Sequence, residues 1–276
     1  MFYNAKVENY NNKKIRMIKY KDTKSKGYHS KKSTVRNNSI EKDQEKNQRA
    51  YAYKVKRRIY DYANSNDFTY FATFTFRDEY DTNEKRFDEM YKWLQAESRR
   101  ARRHGKEFKY IIVPELHESG LVHFHALFSD TFDLKLRTRM VVNKKGNKKQ
   151  YLYIQNWKRG FTDVSEIKDK EKCANYISKY ITKNFFTDKK AVEKFKKRYW
   201  ASKNLERGKT AYVDTESIDE QEQAKAIDFI TTIESKADYK AELKTCTIYE
   251  LSISELEDLN QIRHYLDDFD FYDNQE

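Results

Sequence analysis

Residues 121–128, Leu-Val-His-Phe-His-Ala-Leu-Phe, constrain the fold more than any other part of the chain. The run is apolar, contains no breaker and follows a Glu-Ser-Gly turn, which predicts a β-strand. Successive strand side chains alternate between faces, so His123 and His125 project from the same one. Burying two imidazoles side by side is costly unless something uses their nitrogens. A divalent metal is the simplest such user. The plainer alternative is a pair of half-buried histidines bonded to neighbours. The chain holds only six His, so this pairing is not a matter of composition.

The flanking sequence places that strand in an α+β fold. Tyr51 to Asn64 has Val55, Ile59 and Tyr62 near helical spacing. Phe68 to Phe76, rich in aromatics and Thr, reads as a strand. Asp81 to Arg103 repeats apolar residues at helical spacing, ends in four arginines and is stopped by Gly105. Phe108 to Val113 predicts a strand that forms an antiparallel hairpin with the His strand, and the chain's one proline, Pro114, is expected to end or kink it. Residues 131–150 form a basic excursion with Lys135, Arg137, Arg139, Lys144 and Lys145, and Gly146 suggests a turn. Two more strands, Tyr151 to Gln155 and Phe161 to Ile167, precede a helix from Lys170 to Asn184.

The net charge of +12 is unevenly spread. Residues 211–276 hold 5 Lys/Arg against 18 Asp/Glu, a net of −13, which leaves +25 on residues 1–210. So positive a body points to a polyanionic partner, and the acidic part to a separate element. Residues 1–50, rich in Lys and Asn, read as a basic N-terminal arm. Residues 51–205 read as the main domain. Residues 206–276 read as an acidic segment of amphipathic helices, on Ile227, Phe229, Ile230 and Ile233 and again on Leu251 to Tyr265. No run approaches the roughly 18 apolar residues of a membrane span. Without a leader-like segment, and with Cys173 and Cys246 far apart, a reducing cytoplasm is expected.

Two imidazoles leave a metal site short of a ligand. Glu115 and His117 precede the hairpin turn, and Glu115 is the better placed; His117 and Glu118 fit the turn itself. In the helix after the strands, Tyr176 and Tyr180 are i,i+4, as are Lys179 and Lys183, so the four share a face. Cations beside a phenol favour its phenolate, and a metal polarises a phosphate under attack. An aromatic stripe without chemistry is the alternative, since the chain holds 22 tyrosines.

Three blocks in order resemble the motifs of the HUH endonucleases, in their rolling-circle replication-initiator branch from small plasmids and single-stranded DNA phages. They are Phe71-Ala72-Thr73-Phe74-Thr75-Phe76, His123-Phe124-His125, and Tyr176-Ile177-Ser178-Lys179-Tyr180-Ile181-Thr182-Lys183. Tyr199-Trp200-Ala201-Ser202 extends the similarity weakly, so that it covers about residues 65–205. The resemblance implies a five-stranded antiparallel sheet with the His pair on a central strand. It implies a divalent metal, Mn²⁺ or Mg²⁺, held by His123, His125 and Glu115. It further implies attack by Tyr176 or Tyr180 on single-stranded or hairpin origin DNA. The products would be a 5′-phosphotyrosine and a free 3′-OH, with re-joining by the second tyrosine, and Lys179 and Lys183 would steady the phosphate. Gly208-Lys209-Thr210 lacks the upstream glycine of a nucleotide-binding loop, so a separate helicase is expected. A transposase or relaxase of the same superfamily, and a basic DNA-binding repressor without catalysis, are the alternatives.

Overall fold

A computed structural model of the chain describes residues 2–11, 13–26, 40–142, 146, 148–187, 198–253, 263 and 272–273; of these, the side chains at 40–46, 48–49, 171, 180–187 and 272–273 are left undescribed. The fold is α+β, with two sheets and four helices among the described residues, and every strand pair is antiparallel. The chain forms two compact units, Asn38–Leu205 and a discontinuous one made of Met1–Asn37 with Glu206–Glu276.

The continuous unit contains α1 (Ile40–Ser65), β3 (Tyr70–Phe74), α2 (Asn83–Arg103), β4 (Tyr110–Leu116), β5 (Val122–Phe128), β6 (Leu136–Val142), β7 (Lys148–Ile154), β8 (Thr162–Glu166), α3 (Lys170–Thr187) and β9 (Trp200–Ala201). Its sheet has seven strands in the order β6-β7-β8-β3-β5-β4-β9, rather than five. The difference comes from the basic excursion: residues 136–142 extend as β6 and pair with β7 instead of looping into solvent.

Strand alternation divides this sheet into two faces. Ala72, Phe74, Phe124, Ala126 and Phe128 face α2, whose Met90, Trp93 and Leu94 complete a core lined with aromatic rings. The odd-numbered positions of β4 and β5 turn the other way. There Ile111, Val113 and Leu127 pack under Val55, Ile59 and Ala63 of α1 and Ala174 and Ile177 of α3. The side chain of Thr82 caps α2 by accepting from Lys85 N, and Gly105, at φ +62°, follows its arginine-rich end.

Pro114 neither ends nor kinks β4, which continues to Leu116. Pairing with β9 stops at Ile112, so beyond it β4 has a neighbour on one side only, and an edge tolerates a missing N–H.

The discontinuous unit contains β1 (Phe2–Tyr10), β2 (Lys14–Ser25), β10 (Lys209–Val213), α4 (Glu220–Lys236), β11 (Tyr239–Glu242), β12 (Cys246–Ser252) and β13 (Tyr272–Asp273). They form a six-stranded sheet, β11-β12-β2-β1-β10-β13. Ala5, Val7, Ile15 and Met17 pack on Phe229, Ile230 and Ile233 of α4. The intervening residues carry charge. Lys6 Nζ donates to Glu8 Oε1 at 2.6 Å, Tyr10 OH to Glu8 Oε2 at 2.9 Å, and Lys14 Nζ to Glu250 Oε2 at 2.7 Å.

Two expectations change here. The first 50 residues are not a simple arm: 2–10 and 14–25 are strands, because the alternation Ala5-Lys6-Val7-Glu8 gives them an apolar face despite their lysines. The acidic part is not all helical. Leu251, expected on a helix, lies in β12, where Tyr249 and Leu251 face α4 and Glu250 faces Lys14. Most of the second expected helix, residues 254–262 and 264–265, lies outside the described residues.

The two strand segments also change the charge argument. Asn38–Leu205 holds 38 Lys/Arg and 23 Asp/Glu, a net of +15, which leaves −3 on the other unit. The excess positive charge of the first residues is spent inside that unit, on Glu234 and Glu250.

Candidate functional site

The site forms where the helices stop covering the odd face of the seven-stranded sheet. α1 and α3 lie over the Ile111 and Leu127 end. At the other end the same face carries Glu115 on β4, His123 and His125 on β5, and Thr73 on β3. Register puts Glu115 directly opposite His123, and puts His125 opposite both Val113 and Thr73. A directly opposed pair plus its diagonal neighbour is within side-chain reach. The turn that sets this register runs from His117 to Leu121, with Gly120 N donating to His117 O and Gly120 at φ +79°. His117 and Glu118 lie in that turn, exposed.

The three side chains converge. Glu115 Oε2 is 2.9 Å from His123 Nε2 and 2.7 Å from His125 Nε2, and the two Nε2 atoms are 3.1 Å apart. Glu115 is 7% and His125 5% exposed, so this polar cluster is largely removed from water. Ligands held about 2.1 Å from one ion at right angles lie about 3 Å apart, which is the spacing found. Among the described residues this is the one group of three His, Cys, Asp or Glu side chains arranged to hold a metal ion. Two imidazoles with one carboxylate form a facial set that leaves further coordination positions open.

Thr73 supplies the outer partner. Its Oγ1 lies 3.1 Å from His125 Nδ1. With Nδ1–H donating to that hydroxyl, Nε2 keeps its lone pair for the cluster. Phe71 stacks on the His125 ring at 5.6 Å, fixing its plane. Neither role was visible in the local sequence, because both depend on which strand lies beside β5.

α3 brings the tyrosine to the same place. Lys170 pairs with Asp67, and the buried Ala174 and Ile177 fasten the helix along the sheet. One turn after Lys172, the Tyr176 ring stands 5.5 Å from Phe71 and 6.3 Å from His125, and remains about half exposed. Lys179 follows on the same side of the helix, exposed. The backbone at Tyr180 and Lys183 continues α3, and their side chains lie outside those described.

Of the basic residues, Arg137 and Arg139 lie on the same sheet face as the cluster. The register from Leu152 through Val164 and Ala72 to Ala126 fixes the other face, so Arg137, Arg139, Tyr151 and Tyr153 share the one with Thr73 and His125. The Arg139 guanidinium sits 5.6 Å from the Tyr153 ring and 5.4 Å from Phe161, and Lys149 Nζ 4.8 Å from Tyr151. β7 is three strands from β5, about 14 Å, with Asp163 on the strand between β7 and β3. Lys135 is in the loop before β6 at φ 53°, its N–H donating to Asp133 Oδ1 at 2.7 Å. Lys144 and Lys145 lie outside the described residues.

The comparisons point to DNA replication. Residues 69–185 match a family model described as Replication-associated protein, of the ORF2 type. The matched segment contains the whole Glu-His-His cluster, Thr73, the β6–β7 hairpin and Tyr176. No curated protein and no solved structure matches the chain. No described helix is long and apolar enough to cross a membrane.

Proposed function

We propose that the chain is a replication initiator that nicks single-stranded origin DNA through a tyrosine and re-joins the strand when replication is complete. The observation that carries this is the position of Tyr176, whose ring stands 6.3 Å from that of His125, inside a segment that matches a replication-associated family. Glu115, His123 and His125 would hold one divalent cation, Mn²⁺ or Mg²⁺, which when bound withdraws charge from a phosphate oxygen.

The rest is done by the chain. Phe71 and Thr73 hold the His125 ring in one orientation. Arg137 and Arg139, with Lys135, Lys144 and Lys145, bind the DNA backbone, and Tyr151, Tyr153 and Phe161 offer faces to unpaired bases. Tyr176 or Tyr180 attacks phosphorus through its phenolic oxygen. The new Oη–P bond forms as the P–O3′ bond breaks, the phenol loses its proton and the departing 3′-oxygen gains one. Lys179 and Lys183 balance the negative charge. The phosphotyrosine keeps the energy of the broken ester, so a later attack by a 3′-OH re-joins the strand without another energy source. Strand separation belongs to a separate helicase.

The test is covalent capture. The protein, Mn²⁺ and single-stranded oligonucleotides tiling its own replicon are expected to give an adduct that survives denaturant. Chelation abolishes it while salt-sensitive binding persists. Tyr176→Phe, Tyr180→Phe and the double variant assign the nucleophile. No adduct from any oligonucleotide refutes the enzyme and leaves a DNA-binding protein. An adduct that survives the double substitution refutes the assigned tyrosines.

A further inference from the structure

At the β9 edge of the seven-stranded sheet, away from the Glu-His-His cluster, α1, α2, β4 and β9 enclose a groove of about 850 Å³. That is near the upper end of the roughly 300–1,000 Å³ typical of ligand sites. Its walls carry six large aromatic side chains: Tyr51 and Tyr62 from α1, Tyr91 from α2, Tyr110 from β4, and Tyr199 and Trp200 at β9. Tyr51 and Tyr91 are about half exposed, so their rings are open to a ligand. Both charged residues lining it, Arg198 and Lys203, are cationic, and no carboxylate lines it. Burial raises the pKa of the Tyr110 and Tyr199 phenols, so they stay neutral and add no negative charge.

The groove continues along α2. Tyr91, Gln95, Arg99 and then Arg102 and Arg103 recur at helical spacing and form one stripe. The three arginines line a second hollow of about 390 Å³. Gln95 to Arg102 is a rise of about 10 Å. Arg100 is held by Glu97, whereas Arg99 and Arg103 meet no carboxylate among the described residues.

We propose that this groove is a second nucleic-acid site, in which unpaired DNA bases stack on Tyr51 and Tyr91 and phosphates lie on Arg99, Arg102 and Arg103. Aromatic platforms beside a cationic track are what sequence-tolerant single-strand binding requires. A peptide would also find aromatic walls, but three adjacent arginines with no acidic neighbour in their hollow favour a polyanion. The proposal rests on the DNA-handling function above but not on its chemistry. The groove would hold strand outside the nicking site, keeping the unwound region from re-annealing.

The test uses the full-length chain in chelator, so the metal cluster plays no part. Affinity is read by anisotropy with a fluorescein-labelled oligo(dT) of about 16 nucleotides. Tyr51→Ala and Tyr91→Ala are each expected to weaken binding about 5- to 150-fold, with thermal unfolding unchanged. Replacing Arg99, Arg102 and Arg103 by Gln is expected to lower the slope of log K against log salt by about 2. Wild-type affinity in all three variants overturns the proposal, as does a wild type that ignores oligo(dT). Equal competition by duplex DNA overturns the stacking. Groove-dependent binding without any covalent adduct leaves this site standing and removes the nicking function. An adduct, with binding that does not depend on the groove, does the reverse.

Discussion

Thr73→Val tests whether the cluster is a metal site or a set of hydrogen-bonded side chains. Valine matches threonine in shape but cannot bond His125 Nδ1, from which Thr73 Oγ1 is 3.1 Å away. Removing the outer partner of a metal-binding histidine typically costs 10- to 100-fold in affinity, or about 1.4 to 2.7 kcal/mol. The loss shows directly in thermal unfolding. At Mn²⁺ of 100 times the wild-type Kd, binding stabilises the fold by about 2.7 kcal/mol. With affinity reduced 10- to 100-fold, the same concentration gives between about 1.4 and 0.4 kcal/mol. At about 2 to 4 °C per kcal/mol, a metal-dependent rise in Tm of about 5 to 11 °C shrinks to about 1 to 6 °C. Calorimetric titration with Mn²⁺ checks the affinity independently. Thr73→Ser restores the hydroxyl and is expected to bind as the wild type does. A Thr73→Val protein with wild-type affinity would refute the argument. So would a serine variant as weak as the valine one, because the hydroxyl would then not be the active group.

Three further outcomes follow from the packing. Gly160→Ala would place a Cβ 2.2 Å from Thr75 O and 2.7 Å from Phe76 Cα, both backbone; overpacking of this kind costs about 1–3 kcal/mol, and an unchanged urea midpoint would contradict it. Glu250→Ala removes the carboxylate that Lys14 and Arg16 share, and breaking a buried pair costs about 3–5 kcal/mol; a loss under about 1 kcal/mol in urea unfolding would contradict it. Burial, with Asp169 nearby, pushes the Cys173 thiol up to about 11. Its raised folded-state pKa means the neutral thiol stabilises the fold at low pH, and that contribution disappears as pH rises through about 11. At pH 8 its alkylation, followed by peptide mass spectrometry, is therefore expected to run about a hundredfold slower than that of a free thiol; comparable rates would refute the burial argument.

The parts of the fold legible in the sequence are those set by local period. The helices over residues 81–103 and 170–184, and the strands holding Phe74, Ile111 and His125, announce themselves because each has one apolar face and recognisable ends. The convergence of Glu115 with the two histidines was partly legible, since a short hairpin fixes its own register. What depends on distant pairing was not. Thr73 reaches His125 only because β3 lies beside β5, and those residues are 52 apart in sequence. The β1–β2 hairpin was hidden differently. Its alternation is present in Ala5-Lys6-Val7-Glu8 and Lys14-Ile15-Arg16-Met17, but lysine and asparagine dominated the composition and outweighed the period. Its pairing with β10 and β12 spans some two hundred residues, and no local signal carries that.

The pairing of the chain's two ends decides what its charge means. Read along the sequence, a body of +25 and an acidic segment of −13 suggest that the segment competes with DNA for the body. The fold removes much of that opposition. Lys14 and Arg16 of β2 lie against Glu250 of β12, and Lys19 against Glu234 of α4, so N-terminal positive charge and C-terminal negative charge meet within one sheet and its helix. Two of those partners, Lys14 and Glu250, are buried, and separating them would cost more than an exposed lysine gains from a phosphate. The field available to a polyanion is therefore the +15 of residues 38–205, the same unit that carries the Glu-His-His cluster, Tyr176 and the β6–β7 hairpin. Arg137 and Arg139 share the cluster's face of the sheet, so part of that charge lies about three to four strand spacings from the carboxylate and imidazoles. A phosphate backbone drawn to the arginines is thereby brought beside the tyrosine by the sheet itself, without a contribution from the charged ends of the chain.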